Sequence, residues 1–149
     1  MTTGKAVLAI RSGRPPGAPA NRLRIWWTGI ALLIAGGLFL QAGFAGAMLS
    51  GSAFALGAHK LTASILIAAT LVSSLVATVS LRRIENGTRF GVTLLVLALA
   101  LALQFAVGKL SANGANLLWL HVPLGVALVG LAAHAIRGAR RLSAHDRMN

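Results

Sequence analysis

Two glutamines and two histidines recur at nearly the same spacing in the two halves of the chain. Gln41 precedes His59 by 18 positions, and Gln104 precedes His121 by 17 positions. Each glutamine ends a Leu-X-Leu-Gln sequence, with a glycine and a Leu-Ser pair between it and the histidine, so the pattern predicts an internal two-helix repeat. A neutral imidazole offers a nitrogen lone pair to a metal, and two opposed imidazoles suit the two axial positions of a haem iron.

Four long apolar stretches must position these residues. Hydrophobic residues make up 56% of the 149-residue chain and charged residues only 11%, whereas a soluble domain carries about 25% charged residues. The stretches cover about 25–49, 52–81, 90–108 and 116–136, and each has about the 20 residues needed to cross a bilayer. Short turns make consecutive helices antiparallel. The predicted fold is all-α, an integral membrane antiparallel four-helix bundle formed by residues 25–136.

The basic residues predict the orientation of this bundle. The chain has a net charge of +12, and the basic residues lie mainly before the first stretch, between the second and third, and after the fourth, which is typical of cytoplasmic segments. Only Lys60 and Lys109 fall on the other side. We therefore expect flexible basic cytoplasmic tails at 1–24 and 137–149, and insertion in a bacterial inner membrane. The charge indicates attraction to anionic membrane lipid rather than to nucleic acid, because no aromatic-basic face accompanies it.

The composition excludes several kinds of chemistry. The absence of cysteine excludes a disulfide scaffold, an iron–sulfur centre and a thiol nucleophile. The only acidic residues, Glu85 and Asp146, lie outside the apolar stretches, so neither a paired-carboxylate enzyme nor a proton-coupled transporter is favoured. Two histidines without carboxylate or thiolate partners also make a poor zinc site.

The remaining polar residues near the histidines have two interpretations each. Lys60 and Lys109 lie near the outer ends of their helices and either pair with haem propionates or extend their side chains to the interface. Gln41 and Gln104 either contact a ligand or bond each other or a backbone carbonyl. His59 and His121 either bind iron or hydrogen-bond across helices, and Gly125 leaves room beside His121. His134 is predicted to be an interfacial or packing residue, and His145 is expected to be solvated in the tail.

The first stretch carries a small residue at every seventh position, which predicts close approach of a neighbouring helix, with a flat ligand as the alternative. These residues are Gly29, Gly36, Gly43 and Ser50. Tryptophans favour membrane interfaces. We expect Trp26 and Trp27 at the inner interface and Trp119 at the outer one.

The second half of the chain resembles a known family. Gln104-Phe105-Ala106-Val107-Gly108, followed by Trp119-Leu120-His121-Val122-Pro123-Leu124, is similar to the third and fourth helices of one half of a haem A synthase. The resemblance covers roughly residues 26–136 and implies haem-binding histidines at His59 and His121. Three features differ: the chain has half the family's length, Leu56 replaces a glutamate, and the outer cysteine pair is absent. Haem A synthesis is therefore not carried over.

Together these patterns predict a small b-type cytochrome-like protein. One haem b near the outer face would be bound by His59 and His121, with Gln41, Gln104, Lys60, Lys109 and Gly125 around it. We expect electron transfer with a quinol or a periplasmic redox partner, alone or within a larger redox complex. The alternatives are a non-redox accessory or assembly subunit and a haem-modifying enzyme that acts as a homodimer.

Overall fold

Four helices form one bundle in the computed structural model, which describes residues 18–142 and the side chains from residue 21 onwards. The helices are α1 (Ala18–Leu49), α2 (Ala55–Ser80), α3 (Gly87–Ala112) and α4 (Leu118–Arg140). All four are long and apolar enough to cross a membrane. The predicted all-α antiparallel four-helix bundle is confirmed.

The helices pack in a ring. α1 contacts α2, α2 contacts α3, α3 contacts α4, and α4 closes the ring on α1, whereas α2 and α4 lie on a diagonal. The connections 50–54, 81–86 and 113–117 are too short for anything but antiparallel neighbours. We call the end with connections 50–54 and 113–117 the outer end, and the end with connection 81–86 the inner end.

The two outer connections repeat the same turn. Gly51 follows the end of α1 by two residues with φ of 84°, and Gly114 follows the end of α3 by two residues with φ of 98°. A positive φ strains residues that carry a Cβ, and glycine adopts it freely. The same turn in both halves places α2 against α1 and α4 against α3 in equivalent ways.

The hydrophobic core occupies the inner part of the bundle. Its largest cluster of buried side chains reaches outward to Leu38 on α1, Leu66 on α2, Leu101 on α3 and Leu128 on α4. Further outward, Ala55 and Val107 are also buried, whereas the side chains of the two histidines are partly buried.

Several predicted boundaries are wrong at the helix ends. α1 already begins at Ala18, so residues 18–24 are helical rather than tail, and α4 continues past residue 136 to Arg140. Hydropathy marks where the apolar stretch stops, but backbone hydrogen bonds continue a helix into polar residues. Pro19 is tolerated in the first turn of α1, because an N–H at that position would have no helical partner. Residues 1–17 and 143–149 of the two predicted tails, including His145, lie outside the described residues.

Two predictions about α1 are also corrected. Trp27 is a core residue rather than an interfacial one: it is 6% exposed and meets Phe90 edge-on, with ring centroids 5.5 Å apart. A Cβ at Gly29, Gly36 or Gly43 would meet nothing within 4 Å, so the seven-residue stripe does not pack within the chain. The orientation of α1 about its axis instead makes Gly37 the glycine of close helix contact, because a Cβ there would lie 2.9 Å from the Leu66 side chain on α2.

Trp26 and Trp119 follow the prediction more closely. Their side chains are 73% and 69% exposed, and they lie near opposite ends of the bundle. Exposed tryptophans at those levels suit the two membrane interfaces.

Candidate functional site

His59 lies in the second turn of α2 and is held against α1. Its Nδ1 is 3.2 Å from the backbone carbonyl oxygen of Gln41. A carbonyl only accepts hydrogen bonds, so Nδ1 donates the proton, and in the neutral ring Nε2 carries the lone pair. A histidine that donates one ring nitrogen to a carbonyl and keeps the other free is the usual arrangement of a metal ligand.

The Gln41 side chain completes this contact between α1 and α2. Its amide Nε2 donates to the Thr62 hydroxyl, which lies one turn after His59 on the same helix face. The Thr62 hydroxyl in turn donates to the backbone oxygen of Ala58 over 2.7 Å. Gln41 therefore bonds α2 with both its side chain and its backbone.

His121 lies in the first turn of α4, and its ring contacts α3 at Gly108. A Cβ at Gly108 would be 2.9 Å from Cε1 and 3.3 Å from Nδ1 of the His121 ring, so only glycine leaves room for the ring. The Gln104 amide donates to the His121 backbone oxygen over 2.9 Å. A Cβ at Gly125 would be 3.2 Å from that amide nitrogen, so Gly125 makes room for the Gln104 side chain.

The two halves repeat one relationship. In each half a glutamine on the first helix bonds the helix that carries the histidine. The halves differ at the ring itself: the Gln41 carbonyl accepts from His59 Nδ1, whereas His121 Nδ1 has no hydrogen-bond partner among residues 18–142. The glutamines do not bond each other. Gln104 takes the predicted backbone-carbonyl alternative, and Gln41 bonds a side chain that the prediction did not include.

The second half is less completely hydrogen-bonded than the first. Three buried polar atoms have no hydrogen-bond partner among residues 18–142: Gln104 Oε1, Ser111 Oγ and His121 Nδ1. Buried polar groups are normally paired, and an unpaired one costs free energy. The three unpaired atoms belong to the outer part of α3 and the first turn of α4.

The two histidines lie near the outer end of the bundle. They are on the diagonal helices α2 and α4, and both are partly buried. By contrast, His134 is exposed on the surface of α4, away from the core, as expected of an interfacial rather than a packing residue. The fold thus brings His59, His121, Gln41 and Gln104 into one layer beyond the core.

Lys60 and Lys109 flank this layer from outside. Both are exposed. Each follows a residue of the site in sequence, His59 and Gly108 respectively, and successive helix residues differ by about 100° in direction. Their ammonium groups therefore lie at the outer rim of the bundle rather than between the helices.

Sequence reasoning missed one residue of the site, Thr62. It is three residues after His59, a spacing that places both on one helix face. Helical spacing would have identified it, but threonine is common enough in membrane helices that spacing alone does not separate it from its neighbours.

The donor set limits which metal groups fit. No group of three or more histidine, cysteine, aspartate or glutamate side chains is placed for metal binding within residues 18–142. A structural zinc ion takes four protein ligands. Two imidazoles instead match a metal whose other ligands belong to a cofactor, as in haem, where the macrocycle supplies four nitrogens.

Comparison with known proteins adds no family to this description. No family model, no curated protein and no solved structure matches the chain. The resemblance to haem A synthases stays a prediction from short motifs, and the function has to be inferred from the fold and the geometry of the histidine layer.

Proposed function

We propose that the protein is a small b-type cytochrome of the bacterial inner membrane. One haem b would be bound near the outer end, with His59 on α2 and His121 on α4 holding its iron. Its role would be one-electron transfer with a quinol or a periplasmic redox protein, alone or as a subunit of a larger redox complex.

The observation that carries this proposal is the position of two partly buried imidazoles near the outer end of diagonal helices. The hydrogen bond from His59 Nδ1 to the Gln41 carbonyl leaves Nε2 available as a ligand atom. Buried histidines in a membrane bundle are costly and are typically functional.

The chain's other residues have defined tasks in this proposal. The Gln41 carbonyl fixes the orientation of the His59 ring and increases its basicity. Gly108 leaves room for the His121 ring against α3. Lys60 and Lys109 at the outer rim would pair with the propionates.

A haem bound here would supply a ferric/ferrous couple. The hydrocarbon core of a bilayer is about 30 Å thick, and one site near the outer end serves only one side of it. A quinol or a redox protein on that side is therefore the natural partner.

Orientation in the membrane follows from the charges. The inner end carries Arg82, Arg83 and Arg89 around the 81–86 connection and Arg137, Arg140 and Arg141 around the end of α4. Because basic segments stay on the cytoplasmic side, we propose that the inner end and both termini are cytoplasmic. The histidine layer then faces the periplasm.

The test is the haem content of purified protein and three single variants. A pyridine haemochrome assay should find one haem b per wild-type chain, and His59→Ala and His121→Ala should each lose most of it. His134→Ala is the matched control, because His134 is exposed on the same helix as His121, and it should keep the wild-type haem content.

Circular dichroism of each variant separates ligand loss from unfolding. A wild-type protein without haem, expressed with adequate haem supply, would contradict the proposal. Equal loss in the His134→Ala variant would also contradict it. If the His59→Ala, His121→Ala double variant is as helical and as well assembled with partner proteins as the wild type, and no haem is found in either, the accessory-subunit alternative is favoured. A bound haem whose mass differs from that of haem b would instead favour the haem-modifying enzyme.

A further inference from the structure

A groove of about 540 Å³ lies at the inner end of the bundle, between α1 and α4. Its lining combines two arginines with apolar and small residues: Arg24, Ile25, Thr28, Gly29, Leu32 and Arg140. The groove is at the opposite end of the bundle from the histidine layer, so an inference about it is independent of the proposed haem.

The charged part of the groove is wholly basic. Arg24 and Arg140 approach it from different helices, both side chains are exposed, and no acidic residue is among the lining residues. Arg24 Nη2 donates a hydrogen bond of 2.9 Å to Oδ1 of Asn21, one turn earlier on α1, and this bond helps to orient the Arg24 guanidinium. Two guanidinium groups facing one space are suited to a phosphate, which they bind through paired hydrogen bonds.

The apolar part continues from the arginines along α1. Ile25 and Leu32 are 60% and 49% exposed, so they present apolar surface to whatever fills the groove. A Cβ at Gly29 would meet nothing within 4 Å, and the same is true at Gly36 further along the helix. The missing side chains leave a shallow track that leads from the arginines toward the middle of the bundle.

We propose that this groove binds one anionic phospholipid of the phosphatidylglycerol class. Its phosphate would lie between Arg24 and Arg140, and an acyl chain would follow Gly29, Leu32 and Gly36. Charge complementarity argues for an anionic headgroup, and the apolar track beside it argues for a lipid rather than a soluble phosphate. Basic pockets between membrane helices on the cytoplasmic side bind such headgroups.

The experiment counts retained lipid on the full chain. Protein reconstituted in phosphatidylcholine vesicles with added phosphatidylglycerol is extracted in mild detergent, and native mass spectrometry measures the fraction that keeps one phosphatidylglycerol. The double variant R24Q/R140Q should bind this lipid about 25-fold more weakly, about fivefold for each arginine. The double variant R82Q/R83Q removes the same charge from the same end outside the groove, and should keep wild-type binding.

A second variant tests the acyl track without changing charge. Gly29→Leu fills the groove where no neighbour lies within 4 Å, and should reduce retention of the lipid while Gly46→Leu, equally free of neighbours but at the outer end, should not. Equal loss in R24Q/R140Q and R82Q/R83Q would overturn the proposal in favour of general surface attraction. Unchanged retention in Gly29→Leu would overturn the acyl track. Because the readout is bound lipid, neither result depends on haem.

Discussion

Gly108→Ala tests whether the His121 ring is fixed by its contact with α3. The added Cβ would lie 2.9 Å from Cε1, 3.3 Å from Nδ1 and 3.7 Å from Nε2 of the ring. The α3 backbone is held by its own hydrogen bonds, so the ring is the part that must move, by roughly half an ångström to reach ordinary van der Waals distance.

The expected effect on the fold is smaller than the effect on the site. Overpacking of this kind costs about 1–3 kcal/mol, and alanine gains about 1 kcal/mol over glycine inside a helix. The net loss of about 2 kcal/mol or less leaves the bundle folded. A ligand displaced by about 0.5 Å, however, is at the limit of what a binding site tolerates.

The assay compares Gly108→Ala with Gly57→Ala, a helix position two residues before His59 where a Cβ would meet nothing within 4 Å. Nitrogen-15 NMR of histidine-labelled protein in micelles should show a shifted His121 ring in Gly108→Ala only, and thermal unfolding by circular dichroism should show the cost. An unchanged His121 resonance in Gly108→Ala, or an equal shift in Gly57→Ala, would refute the proposed contact.

Three further predictions concern other contacts and the topology. Gly125→Ala should weaken the bond from the Gln104 amide to α4, because its Cβ would lie 3.2 Å from that nitrogen. In thermal unfolding, its free energy of unfolding should be about 1 kcal/mol lower than that of Gly130→Ala. Gly91→Ala should lower the free energy of unfolding by more, about 2–3 kcal/mol relative to Gly130→Ala in the same assay. Its Cβ would lie 2.5 Å from the Thr78 hydroxyl oxygen and 3.0 Å from the Thr78 backbone. A single cysteine at Ala53, in a chain that has none of its own, should react with a membrane-impermeant maleimide added outside the inner membrane.

Each of these has a matched control. Gly130→Ala, at a helix position with no neighbour within 4 Å, gives the baseline effect of alanine in a helix. If Gly125→Ala is as stable as Gly130→Ala, the contact with the Gln104 amide is contradicted. If Gly91→Ala is as stable as Gly130→Ala, the contact with Thr78 is contradicted. A cysteine at Thr88, exposed at the inner end, should react only after the membrane is opened. Labelling in the reverse order would show that the proposed orientation is inverted.

The fold could be predicted because two constraints determine it: the length of the apolar stretches and the shortness of the connections between them. Long apolar stretches must be helical in lipid, and turns of five or six residues leave only antiparallel neighbours. The ends of the helices could not be predicted equally well. Residues 18–24 and 137–140 are polar enough to interrupt a hydropathy pattern, yet they continue the backbone hydrogen bonds of α1 and α4.

The orientation of a helix about its axis was the main source of error. A seven-residue spacing shows that Gly29, Gly36 and Gly43 share one face of α1, but the direction of that face depends on how α1 packs on α2 and α4. The face turns away from the rest of the chain, and Gly37, one position further, makes the close contact. The same rotation places Trp27 in the core and Trp26 outside it.

The candidate site could be predicted as a set of residues but not as a set of bonds. The repeated spacing places each glutamine and its histidine on adjacent helices, and in the structure each glutamine bonds the helix that carries its histidine. Which atom each amide reaches depends on shifts of about an ångström between helices. Gln41 thus reaches the Thr62 hydroxyl and Gln104 reaches a backbone oxygen, a difference that sequence spacing does not contain.

Binding of one iron by two histidines on diagonal helices is tested most directly by electron paramagnetic resonance of the oxidised, purified protein. The wild type should show a low-spin ferric haem signal, typical of two imidazole ligands, and His59→Ala and His121→Ala should each convert any remaining haem to a high-spin signal. A high-spin wild type, or a low-spin signal that survives either substitution, would contradict the claim.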